Sequence, residues 1–197
     1  PSVAAASPQT PAPAPAVAPA AVEPAARLES VSEGSTSIGG RFWLAEYVNA
    51  GSVPIARPSI LVSGFDAGGN RVVEQPGFGI RTRLEPGERT VILAVVARPP
   101  AELARAEVQP QRPSAAGLGA PQIPLSILGF SERPAFGNRH QIVGTLRNTT
   151  DRSMRIVRIV AVGRNEDGKP VSFADGLASI RPLDAGAAWR LRLDIDR

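Results

Sequence analysis

Two stretches near the ends of two similar halves set the rhythm of this chain. From Trp189 to Ile195 the residues alternate, with Trp189, Leu191, Leu193 and Ile195 on one parity and Arg190, Arg192 and Asp194 on the other. That pattern predicts a half-buried strand with one solvated face. Residues 90–97, TVILAVVA, are instead apolar at both parities, which predicts a strand covered on both sides. Short apolar runs bounded by turn residues fill the rest. In the first half they are ARLESVSEG, FWLAEYVN, SILVSGFD, RVVEQ, FGIRTRL and RTVILAVVA; in the second, LSILGFSE, HQIVGTLRN, RIVRIVAVGR, PVSFA, LASIRPL and WRLRLDID. Strands this short, with turn signals this regular, predict an all-β protein built of antiparallel sheets.

The two halves are copies. YVNAG at 47–51 and LRNTT at 146–150 each end an apolar run at an asparagine, and Asn49 and Asn148 lie 99 positions apart (148 − 49). At that offset Ser32-Glu33 meets Ser131-Glu132, Ile60 meets Ile159, and Leu84 meets Leu183. Gly64, Gly69, Gly77 and Gly87 fall on Gly163, Gly168, Gly176 and Gly186. Matches at glycines and apolar strand positions are what a duplicated fold retains. Gly69-Asn70 and Asp167-Gly168 sit between strand candidates as tight hairpin turns require. Each copy is of a size to form a small antiparallel β-sandwich of the immunoglobulin-like kind. The repeated asparagine reads as a structural cap on the loop that follows the second strand.

An apolar strand ending in Asn, an alternating strand, a D/N-x-x-G turn and a closing L-x-P-G-x before the last strand together resemble the FxLyD and DUF3426-type domains. Those are small immunoglobulin-like β-sandwiches of bacterial cell-envelope proteins. The resemblance covers roughly residues 28–97 and 126–195 and implies a structural or interaction module without catalysis. The expected organisation is an Ala/Pro-rich extended tail (1–26), a first sandwich (27–98), a linker with a candidate short helix beginning at Pro100 (99–122), and a second sandwich (123–197).

Composition narrows the chemistry. The 20 prolines and 19 glycines favour strands and turns over long helices. With no Cys and one histidine, His140, thiolate chemistry, cysteine-ligated metals and His-based triads are excluded. Asp66, Asn165, Asp167 and Asp184 fall in turns, where such side chains cap backbone N–H groups, and they lack the spacing of a calcium loop. The runs GSTSIGG and AGLGA match no phosphate-binding loop. No catalytic, cofactor or metal residues are expected. The net charge of +4 comes from arginines interspersed with acids, which argues against nucleic acid as a partner. The chain begins at Pro1, so the expectation is either that a leader has been removed or that the chain is a fragment, with an N-terminal anchor lost in the missing segment.

Residues 1–26 are nearly all Ala and Pro, too poor in apolar surface to build a core, and suit an extended tether. The apolar second face of 90–97, with Val91, Leu93 and Val95, wants a cover: the other domain, the linker or a different protein. Phe42 and Trp43, adjacent and pointing to opposite faces, raise the same expectation. These five residues are the expected partner-binding surface of a non-enzymatic accessory or scaffolding subunit. It would dock on proteins of a larger, extracytoplasmic (periplasmic or cell-envelope), membrane-associated complex. The alternative expectation is a module for cell-wall glycan or another anionic polymer, bound through Arg155, Arg158, Arg190 and Arg192.

Overall fold

Alternation along the strands decides which way each sheet faces. The computed structural model describes residues 24–115, 126–134, 139–154, 158–177 and 182–196. The first repeat holds β1 (Ala26–Ser35), β2 (Arg41–Asn49), β3 (Ile55–Ala56), β4 (Ser59–Phe65), β5 (Arg71–Gly79), β6 (Arg83–Leu84), β7 (Arg89–Val96), β8 (Arg105–Pro110) and β9 (Ser114–Ala115). The second holds β10 (Ser126–Pro134), β11 (Arg139–Arg147), β12 (Arg158–Arg164), β13 (Pro170–Leu177) and β14 (Ala188–Asp196). All pairings among the described residues are antiparallel, and none of these residues is helical.

In the first repeat six strands form one curled, barrel-like sheet in the order β1-β2-β7-β5-β4-β8, with β6-β3-β9 as a small second sheet. In the second, β10-β11-β14 and β12-β13 form separate sheets. Trp43, Ala45 and Tyr47 of β2 and Ile92, Ala94 and Val96 of β7 point inward onto Ile55, Ile60, Val62 and Leu84. Among the described residues the second core holds Leu146, Ile159, Ala174, Leu183, Leu191, Leu193 and Ile195.

The duplication holds at the level of register. Phe42 faces Val95 as Gln141 faces Asp194, and Ser63 faces Glu74 as Val162 faces Phe173. Ile55 faces Leu84 as Met154 faces Leu183. Even the irregularity after Gly64 in the β4–β5 pair recurs after Gly163 in the β12–β13 pair. The hairpin glycines Gly69 and Gly168 have φ of 84° and 77°, a region that side-chain-bearing residues rarely adopt.

The linker departs from expectation. Where a short helix is predicted from Pro100, the chain turns and forms β8, which pairs with β4 and adds a sixth strand to the sheet. Its period-two pattern explains the outcome: Ala106 and Val108 pack on the first core while Arg105, Glu107 and Gln109 face outward. A single helical turn has little intrinsic stability to set against that burial. β5 also runs straight through Pro76, joining two segments that the pattern separates. There β5 has a neighbour on one side only, the edge position at which a sheet accepts proline.

Candidate functional site: two equivalent faces

The outward parity of β2 and β7 carries Phe42, Leu44, Val91, Leu93 and Val95. In a sheet with one solvated face these would be polar. Here they are covered by the second repeat: Val162 of β12 and Phe173 of β13 pack against them. The rings of Phe42 and Phe173 meet edge to face, 5.2 Å between centroids at 76°, a geometry worth about 0.5–1.5 kcal/mol beyond the area buried. Gly34 on β1 makes room for the Phe42 ring, since a Cβ there would run into it. At the margin Arg164 donates to Glu46 across the repeats at 3.0 Å. This seam is the cover that the pattern of 90–97 demands.

The expected partner surface is therefore divided. Phe42, Val91, Leu93 and Val95 lie in the seam, taken up within the chain. Trp43 is 1% exposed inside the first core, its indole N–H donating to Glu33, and is not available to a partner. Val162, Phe173, Glu46 and Arg164 were not anticipated. A signal for them exists: at the 99-residue offset Val162 and Phe173 replace Ser63 and Glu74, so the hairpin turns apolar in the copy whose partner face is apolar.

The equivalent face of the second repeat is different in kind. Gly34, Phe42, Val91, Leu93 and Val95 correspond to Arg133, Gln141, Arg190, Arg192 and Asp194. Of the expected anionic-ligand residues, Arg190 and Arg192 stand exposed on β14 and line an open groove with Arg133, Gln141, Thr145 and Phe130. Arg158 lies on β12 at the far end of its pairing with β13; Arg155 lies outside the described residues.

Charge is arranged differently too. In the first repeat arginines pair with glutamates: Arg27 and Arg89 with Glu29, Arg41 with Glu33, Arg71 with Glu74, Arg81 with Glu88, and Arg105 with Glu107. Hydrogen bonds from the Glu85 amide and Arg81 hold the Glu88 carboxyl below its ordinary range. Asp66 is held low chiefly by the side chain and amide of Asn70.

The asparagine corners are structural. Asn49 is fully buried, its amide donating to Val53 and Leu84 carbonyls while its Oδ1 accepts from Gly51 N–H. Asn148, also fully buried, donates to Arg152 and Leu183 and accepts from Thr150 N–H. Both are thus engaged. His140 sits partly buried beside Glu132. Among the described residues no group of acids and histidines could hold a metal, and no helix is long and apolar enough to cross a membrane. No family model matches the chain, and no curated protein matches it.

Proposed function

We propose that each repeat is an immunoglobulin-like antiparallel sandwich. In this reading the chain is a non-enzymatic accessory or scaffolding subunit of an extracytoplasmic, membrane-associated assembly. The observation that carries it is the seam: Phe42, Leu44, Val91, Leu93 and Val95 under Val162 and Phe173 join two modules into one body. Apolar packing of that kind stiffens the relation between modules, which otherwise move independently by default. A stiff two-module body fits a spacer or scaffold. The two corner asparagines, the most conspicuous polar residues of the duplication, act on the fold. Docking then falls to the Ala/Pro-rich segment 1–26 and to surfaces other than the seam, with that segment as tether.

The test is cross-linking in the native envelope followed by mass spectrometry, with full chain and a 27–197 variant compared. The reading predicts a reproducible set of membrane-assembly subunits cross-linked to the full chain and displaced by excess unlabelled chain. A chain that stays monomeric, with no competable cross-links, contradicts it.

A further inference from the structure

We propose that the groove of the second repeat binds an acidic polysaccharide, a polymer whose sugar rings carry carboxylates. The inference is independent of the scaffold reading, which rests on the seam. Its starting point is the divergence of two faces with the same register. One carries apolar residues and is covered; the other has Arg190 and Arg192 where the first has Val91 and Leu93, and Arg133 where the first has Gly34. Solvation alone asks only for polar residues, and the first repeat shows the usual form, arginines neutralised by neighbouring glutamates. Arg133, Arg190 and Arg192 have no ion pair among the described residues. Asp194 on this face accepts from the Gln141 amide at 2.8 Å.

The layout suits a carboxylated glycan. Arg190 and Arg192 share one face of β14, about 7 Å of strand apart, and Arg133 lies two strands away, opposite Gln141. A guanidinium grips a carboxylate with two parallel hydrogen bonds. Val143 lies between the arginines, flanked by Ser131 and Thr145, hydroxyls matched to sugar hydroxyls, and at the groove stands Phe130, 70% exposed. An exposed ring offers a flat apolar surface to the C–H face of a sugar. An extended acidic peptide would instead want several apolar pockets for its alternate side chains, where this face sets a single aliphatic side chain, Val143, among Ser131, Thr145 and Gln141.

The probe is polygalacturonate titrated into the full chain by calorimetry at low ionic strength, with dextran as neutral control and poly-glutamate as acidic-peptide control. Binding of polygalacturonate alone is expected, weakening steeply with added salt. R190S/R192S should weaken it at least about tenfold through loss of two bidentate contacts, with Arg71→Ser and Arg105→Ser in the first repeat unchanged. Phe130→Ser, at an exposed site, should weaken binding at unchanged melting temperature, so a folding defect in the double variant leaves the proposal open to refutation. No binding of polygalacturonate, binding indifferent to both groove variants, or equal or tighter binding of poly-glutamate would overturn it, the last pointing to an acidic polypeptide.

Discussion

The outer face of β2 and β7 and that of β11 and β14 share a register and differ in almost every side chain. The first carries Phe42, Leu44, Val91, Leu93 and Val95 and is closed by the second repeat; the second carries Gln141, Val143, Arg190, Arg192 and Asp194 and stands open. The complementary hairpins diverge the other way, Ser63 and Glu74 in one copy, Val162 and Phe173 in the other. A duplicated sheet thus acquired one interior face and one exterior face, while the buried corners that make the sheet stayed the same.

Exchanging the faces is the harshest way to break that comparison. Leu93→Arg places the second repeat's residue under Val162 and Phe173, and burying an unpaired charge there should cost roughly 3 kcal/mol or more. Urea denaturation should then show the repeats unfolding separately. The reverse change, Arg192→Leu, should leave stability nearly unaltered and increase self-association by light scattering, because it enlarges an exposed apolar patch.

Next come the corners. Asn49→Ala and Asn148→Ala each strand one buried carbonyl, one half-buried carbonyl and a half-buried amide, so each should cost about 2–3 kcal/mol by denaturant titration. Losses of similar size are expected because the two corners share three bonds, with the larger one at Asn148, which also donates to the Asp184 carbonyl and accepts from the Thr150 hydroxyl. A loss confined to one site would show that the two corners do not share a role.

Smaller effects sharpen the comparison. Tyr47 is fully buried and its hydroxyl has no hydrogen-bond partner among the described residues; burial raises its pKa. The second repeat has Leu146 at this place. Tyr47→Phe should therefore be neutral or stabilising by up to about 1 kcal/mol in a thermal melt. The weakest effect is in the hairpin turns, where Asp66 accepts from Asn70 N–H as Asn165 accepts from Lys169 N–H, both at 2.8 Å. The folded pKa of Asp66 is lowered, so its contribution is present above the unfolded carboxylate range and fades as pH falls through the folded value. The protection factor of the Asn70 amide, taken relative to intrinsic exchange at each pH, should fall in acid, while that of Lys169, beside an asparagine that does not titrate, stays unchanged.

Much of this was legible from residue order. The 99-residue offset gave the register of paired strands, because strand periodicity ties each residue to one face, and the double-sided apolar pattern of 90–97 announced a covered strand. What covers it was harder to read, since Val162 and Phe173 sit in an ordinary alternating hairpin and are distinguished only against Ser63 and Glu74. Trp43 was misplaced as a contact residue for a simple reason: adjacent aromatics take opposite faces, and period alone does not say which is inside. The segment after Pro100 offered too few residues to separate a helical turn from an edge strand; the neighbouring open edge of β4 decided it.

The account stands most directly on the contact of Phe42 with Phe173. A double-mutant cycle with Phe42→Ala, Phe173→Ala and the double variant, read by urea denaturation, isolates that pair. The seam predicts a single cooperative transition for the unaltered chain and a coupling of about 0.5–1.5 kcal/mol. Two separate transitions in the unaltered chain, with strictly additive losses, would contradict it.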